Sequence, residues 1–199
     1  MINFLNISND EPMIILRDLY STAITNKQLN IEAIFISSFS HKLQEANSRI
    51  VNIKSIIGNE FIFFSNYDSP KSIEFEEQNK ISAIFFWNKI NVQIRMKAEI
   101  KRTSYEFSQK HFMERSAKKN ALAISSNQSQ TIKIYEDVIQ NYDECVKNDN
   151  LKKCPENWGG FSFAPYYYEF WEGHGHRINK RKAFTKNIDN NWLSTYLQP

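Results

Sequence analysis

Between Pro155 and Arg181 the chain reads P-E-N-W-G-G-F-S-F-A-P-Y-Y-Y-E-F-W-E-G-H-G-H-R-I-N-K-R, which gathers two Trp, three consecutive Tyr and four of the five glycines ahead of a run of His, Arg and Lys. Rings followed directly by cations suit a planar anion, because aromatic faces offer flat apolar contact and guanidinium groups pair with phosphate or carboxylate. Period-two aromatics are also the mark of the inner face of a half-buried antiparallel strand. Alternation carried past Trp171 would set Arg177, Asn179 and Arg181 on one side of an extended strand, three polar side chains converging on one partner.

Three places could hold a phosphate: Arg49 with Lys54 on one strand, the helix start at Ser69-Pro70-Lys71, and Arg177 with Arg181. A helix N-terminus offers free amide hydrogens and the positive end of the dipole, so Ser69 and Lys71 form an anion cradle there. His174 and His176 stand at strand spacing for a metal pair but lack a third ligand nearby, and they read as polar loop residues. The chain has no G-x-G-x-x-G, no G-x-x-x-x-G-K-[ST] and no G-x-S-x-G, so dinucleotide-fold, P-loop and serine-hydrolase chemistry are without support.

The 199 residues carry 25 basic and 22 acidic side chains, a net charge of +3 dispersed along the whole length. Nucleic-acid binding is disfavoured, since affinity for a phosphate backbone needs clustered Lys and Arg. With 41% hydrophobic and 14% aromatic residues the chain is too apolar for disorder, and it is expected to form one domain, residues 1–199. No apolar run approaches the roughly 20 residues of a membrane span, and the first residues lack a basic flank or cleavage site, so a cytoplasmic protein is expected. Cys145 and Cys154 fit neither a zinc site nor a disulfide framework and are read as free thiols, one on a helix and one in the loop after it.

The elements that must position these residues follow from periodicity. Asp10 caps a predicted helix over 10–27, with Pro12 in its first turn and Ile15, Leu19 and Ala23 along one side. Strands are predicted over 32–39 and 49–57, and Gly58-Asn59 turns the chain into a third, E-F-I-F-F-S-N. A helix starting at Ser69-Pro70 would carry Ile73 and Phe75 inward with Glu74, Glu76 and Glu77 outward. Two more strands follow, the second with Val92, Ile94, Met96, Ala98 and Ile100 on one face and Gln93, Arg95, Lys97, Glu99 and Lys101 on the other. A helical insertion over about 104–149 comes next, whose last helix, 130–148, would bury Ile134, Val138, Ile139 and Tyr142. Strands then resume and end near Trp192 to Leu197. The fold class expected is mainly β with peripheral helices, an antiparallel barrel.

Seven stretches, in order and spacing, resemble the motifs of pyridoxamine 5'-phosphate oxidases: R-I-V-N-I-K at 49–54, F-F-S-N at 63–66, D-S-P-K at 68–71, V-Q-I at 92–94, N-Q-S at 127–129, N-W-G-G at 157–160 and E-F-W-E-G-H-G-H-R-I-N-K-R at 169–181. The resemblance covers about residue 32 to the C-terminus. It implies a homodimeric, FMN-binding split β-barrel with the flavin at the subunit interface. The implied flavin contacts are Arg49, Ile50, Val51, Asn52, Ile53 and Lys54, then Phe64 and Ser65, Lys71 at the phosphate, Gln93 near the isoalloxazine ring, and Gln128, Ser129, Trp171 and Arg181. The implied substrate contacts are Lys54, His111, Arg115, Lys119, Arg177 and Asn179, with Arg177 as the catalytic residue that orients the substrate.

This sequence also departs from the family pattern. Pro70 stands where the family has a phosphate-contacting Arg, Asn52 replaces a usual Leu, His111 a Tyr, Lys119 a Ser, and Asn179 a His. The Val before Gln93, the D-S-x-K helix start and Q-S-Q-T after Asn127 look closer to the phenazine-biosynthesis oxidases of the same superfamily, which act on reduced tricyclic acids. The resemblance therefore implies an FMN-dependent oxidase that takes a hydride from an anionic aromatic substrate, pyridoxine or pyridoxamine 5'-phosphate, and passes the electrons to molecular oxygen. Two alternatives stay open: a phenazine-type oxidase and a flavin-binding barrel without turnover.

Overall fold

The computed structural model describes residues 1–199. In chain order the elements are β1 (Asn3–Leu5), α1 (Glu11–Thr25), β2 (Ala33–Ser40), β3 (Glu45–Asn52), β4 (Ser55–Ile57), β5 (Glu60–Asn66), α2 (Pro70–Glu77), β6 (Lys80–Trp87), β7 (Val92–Arg102), α3 (Tyr105–Glu114), α4 (Ala117–Ser125), α5 (Glu136–Asn148), β8 (Trp158–Glu172), β9 (Lys180–Lys186) and β10 (Trp192–Leu197). The strands form one sheet in the order β1-β4-β5-β8-β7-β6-β2-β3, with β9 and β10 continuing from β8. All pairs are antiparallel except β1 with β4, a short parallel contact that alternation gives no sign of. At the far end of the order β3 touches β5, so the sheet rolls into a barrel.

Period-two patterning fills the barrel. On β7, Val92, Ile94, Met96, Ala98 and Ile100 are buried, while Lys97, Glu99 and Lys101 are exposed. Phe61 and Phe163 stack with centroids 5.0 Å apart, Phe63 and Phe161 at 5.6 Å, and Ile34, Ile36, Ile53 and Phe85 close the interior. Burying each of these large side chains contributes about 2–3 kcal/mol. α1 packs onto this core, and its Tyr20 hydroxyl accepts a hydrogen bond from the Ile2 amide at 2.8 Å.

The long strand β8 joins the two halves of the sheet. Its first part pairs with β5, its last part pairs with β9, and β7 runs along nearly its whole length. The register shifts between Lys97 and Ala98, beside Pro165, because a proline without an N–H is tolerated in a strand where a bulge interrupts the ladder. Gly160 is required early in β8: a Cβ there would lie 3.1 Å from the Phe64 ring and overlap Thr103.

Several expectations need correction. The strand expected over 49–57 is two strands, because the chain changes partner at the break: the Ile53 amide donates to Glu32 O at 2.9 Å and the Lys54 amide to Ile62 O at 2.8 Å. Asp10 occupies the N-cap of α1 but its side chain caps nothing, and the buried face runs through Met13, Leu16, Tyr20 and Ala23, with Ile15 and Leu19 at its margin. On α2, Phe75 is buried and Glu76 and Glu77 are exposed as expected, but Glu74 is buried and Ile73 is 49% exposed, the reverse of expectation, because Glu74 meets a cation on β3. α5 begins at Glu136 and leaves Ile134 and Ile139 exposed. Its main packing partner is α4, where the buried Cys145 thiol reaches Ala121 O, so most of its circumference faces solvent. β8 ends at Glu172, and the chain turns through His174 to Asn179 with Arg177 at φ +62°. Arg177 and Asn179 thus lie in a loop, and of the three residues placed on one strand only Arg181 belongs to β9. No helix is long and apolar enough to cross a membrane.

Candidate functional site

An open cleft of about 420 Å³ lies between β3, β5, the start of α2 and the loop after α4. Its β3 wall is Arg49, Ile50, Val51 and Asn52, with Lys54 just beyond; Phe64 and Ser65 come from β5, Pro70 and Lys71 from α2, and Gln128 and Ser129 from the loop. Ile53 is absent from this wall because its side chain is fully buried in the barrel core.

The electrostatics of the cleft are one-sided: it is lined by Arg49, Lys54 and Lys71 and by no carboxylate. Lys71 Nζ donates to Ser69 Oγ at 2.9 Å and to Gln128 Oε1 at 3.1 Å, which leaves one of its three N–H donors for a ligand. Burial, and then the neighbouring Arg49 charge, bring its pKa down to about 8. Gln128 Oε1 also accepts from Ser65 Oγ at 3.2 Å, so one amide ties the loop to both β5 and α2. Arg49 is held from behind by Glu74, whose Oε2 lies 3.0 Å from Arg49 Nη2; Ser38 and Asn47 also donate to this carboxylate. Sequence reasoning missed Glu74, because its partners Arg49, Ser38 and Asn47 lie far from it along the chain and no local spacing signals them.

A second cavity of about 220 Å³ shares Phe64, Ser65 and Gln128 with the first, and Arg115 and Lys119 line its other side. Arg115 caps the C-terminus of α3, and its guanidinium carbon sits 4.4 Å from the centre of the Trp158 ring. Nη2 donates to Lys119 O at 3.2 Å, while Nη1 is buried without a partner. A buried, unsatisfied guanidinium N–H beside a cavity is suited to an anionic ligand, since such a group carries the full cost of desolvation until it is paired. His111 stacks on Phe64 with centroids 3.8 Å apart, and Phe64 stacks in turn on Trp158 at 5.2 Å. Burial, followed by the Arg115 charge, lowers the His111 pKa to about 4, which leaves the ring neutral near pH 7. Burial also lowers the pKa of Lys54, with Lys119 and Arg115 acting in the same direction and Glu32 against them. Trp158, the platform of this stack, was given no site role from sequence beyond its place in N-W-G-G.

Gln93, Trp171 and Arg181 lie elsewhere in the protomer. They stand directly opposite one another on β7, β8 and β9 and line neither cavity. From Gly160, which pairs with Phe64, to Trp171 the strand advances on the order of 35 Å at about 3.3 Å per residue. Arg177 and Asn179 are in the adjoining loop, where Asn179 Oδ1 accepts from the His174 amide at 3.0 Å and the Arg177 side chain is exposed. The expected site residues therefore form two groups within one chain: a cation-lined pair of cavities, and a polar row with its loop.

A family model described as the pyridoxine 5'-phosphate oxidase C-terminal dimerisation region matches residues 158–199, the segment that carries Trp158, Trp171 and Arg181. The pyridoxine/pyridoxamine 5'-phosphate oxidase of Colwellia psychrerythraea is 33% identical over 96% of this chain and 88% of its own length. Pyridoxine/pyridoxamine 5'-phosphate oxidase 1 of Hydrogenovibrio crunogenus is 32% identical over 92% of this chain and 85% of its own. Among solved structures, PhzG from Burkholderia lata 383 in complex with tetrahydrophenazine-1-carboxylic acid superposes with a TM-score of 0.87 at 23% identity, covering 96% of this chain and 93% of that one. A pyridoxamine 5'-phosphate oxidase-related, FMN binding protein from Nostoc punctiforme gives 0.76 at 13% identity, covering 92% and 97%. The structural likenesses identify the split barrel, and relatives above 30% identity along nearly the whole length decide the family: the chain belongs to the pyridoxine/pyridoxamine 5'-phosphate oxidases.

Proposed function

We propose that residues 1–199 act as one FMN-binding domain, working as a homodimer in which each flavin lies between the cation-lined cleft of one protomer and the Gln93–Trp171–Arg181 row of its partner. The reading rests above all on the two adjoining cavities: both are lined by cations, neither by a carboxylate, and Phe64, Ser65 and Gln128 form the wall between them. In the larger cleft Arg49, Lys71 and the start of α2 hold the cofactor phosphate, and Ile50, Val51, Asn52, Lys54, Phe64, Ser65, Gln128 and Ser129 line the rest. The distance along β8 between this cleft and Trp171 supports a second copy as the source of the other wall.

The smaller cavity takes the substrate's anionic group, with Arg115, Lys119 and Lys54 neutralising it and neutral His111 stacked beside it. Arg177 of the exposed loop orients the substrate ring. Bound FMN would supply the hydride acceptor and the route by which the two electrons reach molecular oxygen, which with two protons would leave as hydrogen peroxide. The chain's own task is to bind, orient and screen charge. The favoured substrate is pyridoxine or pyridoxamine 5'-phosphate, in keeping with the family. A second reading, oxidation of a reduced tricyclic acid, is favoured by Asn179: its side-chain oxygen is engaged within the loop, and the position offers no imidazole to a substrate.

Purified protein is expected to be yellow with bound FMN. Under anaerobic conditions pyridoxamine 5'-phosphate should bleach the flavin, and readmitted oxygen should restore the colour with release of peroxide. Bleaching by tetrahydrophenazine-1-carboxylic acid alone would favour the second reading. Bound flavin that neither compound bleaches would leave a binding protein without turnover, and failure of the apoprotein to bind FMN would refute both oxidase readings.

A further inference from the structure

Behind the Gln93–Trp171–Arg181 row lies a second row on the same face, Arg95 opposite Glu169. Glu169 is only 5% exposed, an unusual place for a carboxylate. Its Oε1 accepts from Arg181 Nε at 2.9 Å and lies 3.4 Å from Arg95 Nη1, and its Oε2 accepts from the Tyr167 hydroxyl at 3.1 Å. Burial alone would raise its pKa, yet the Arg181 hydrogen bond and the Arg95 and Arg181 charges hold it below its ordinary value, so Glu169 stays ionised. Arg95 also donates to Gln93 Oε1, from Nη2 at 3.1 Å and from Nε at 3.3 Å.

This contact settles which way the Gln93 amide points. A guanidinium group has five N–H donors and no acceptor, so only the carbonyl oxygen of the amide can face it. The Gln93 oxygen is therefore consumed by Arg95, and both N–H donors are turned away from it. Glu169, gripping Arg95 and Arg181 together, holds the second donor of the row beside the first. Without Arg95 the amide could present either end, and Glu169 would be left with Arg181 as its single counter-charge.

We propose that Arg95 and Glu169 are positioning residues that make the Gln93–Arg181 row a donor-only surface, so that it selects acceptor atoms along one edge of a planar ligand. On the flavin reading above, on which this rests, that edge is the carbonyl edge of the isoalloxazine ring. Negative charge develops there on reduction, and fixed donors stabilise charge where it develops. Arg95 thereby raises both the affinity for the cofactor and its reduction potential.

The test compares wild type, Arg95→Met, Arg95→Lys and Gln93→Glu. Apoprotein is titrated with FMN, the potential of bound flavin is measured, and the Gln93 side-chain amide signal is followed by NMR in the apoprotein, assigned by its loss in Gln93→Glu. Arg95→Met should weaken FMN binding about tenfold, the loss of one charge-assisted hydrogen bond, and lower the flavin potential. Arg95→Lys, still donor-only, should recover much of both, whereas Gln93→Glu, which turns an acceptor outward, should bind more weakly than Arg95→Met. Wild-type affinity and potential in Arg95→Met would overturn the proposal. If wild type itself binds no FMN, the flavin reading fails on its own account and the amide signal decides: a shift on Arg95→Met sustains the positioning role, and an unchanged signal removes it.

Discussion

Lys71→Met tests whether the cleft is built for an anion at the expense of the protein's own stability. Lys71 is 9% exposed, and its pKa falls from 10.5 to about 8, so holding the ammonium group in the apoprotein costs on the order of 3 kcal/mol. The sign follows from proton counting. Below pH 8 both folded and unfolded states carry the proton and the full cost is present. Between about 8 and 10.5 the folded state releases its proton first, so the cost shrinks, and above 10.5 it is gone. Methionine fills a similar volume without charge, but it forfeits the bonds to Ser69 and Gln128, each worth about 1 kcal/mol. Both partners keep other contacts, since Ser69 Oγ bonds to Asn66 O and Gln128 Oε1 to Ser65. The net expectation is an apoprotein more stable by about 1–2 kcal/mol at pH 7, a Tm higher by roughly 3–6 °C, with the gain absent at pH 10.5. FMN affinity should fall by about 10- to 100-fold with the loss of a charge-assisted bond to phosphate, while riboflavin affinity changes little. Thermal melts of the two apoproteins across pH, with fluorescence titrations of both flavins, measure all of this. A variant that melts no higher than wild type at pH 7, or a gap that persists at pH 10.5, would refute the reasoning.

Glu74→Gln keeps the shape of the carboxylate but removes the counter-charge of the half-buried Arg49; the apoprotein should lose about 2–4 kcal/mol in urea melts, and added inorganic phosphate should restore part of it by offering Arg49 another anion. Arg177→Ala alters an exposed loop side chain outside both cavities; flavin content should stay near normal while turnover with pyridoxamine 5'-phosphate drops strongly, and unchanged turnover would remove Arg177 from the mechanism.

What the sequence determined by itself was whatever depends on neighbours along the chain. Alternation over 92–100 identifies the buried face of β7, Gly58-Asn59 the turn before β5, and Ser69-Pro70 the start of α2. The seven ordered motifs carried the family and, with it, the barrel. What only the tertiary structure decided depends on partners distant in sequence. Glu74 is buried because Ser38 of β2 and Asn47 and Arg49 of β3 reach it, which no helical periodicity can register. Ile139 is exposed because α5 has little more than one helix to pack against, and Ile134 lies before the helix begins. Arg177 and Asn179 leave the sheet because the chain turns after Gly173, although their spacing is compatible with a strand. The orientation of Gln93 is likewise a tertiary fact: alternation put it on a polar face, but Arg95 and Glu169 decide which end of its amide is offered. Spacing along a chain specifies which face a side chain occupies, whereas the groups that meet it there are set by strand register and helix docking, and those set charge, polarity and fit.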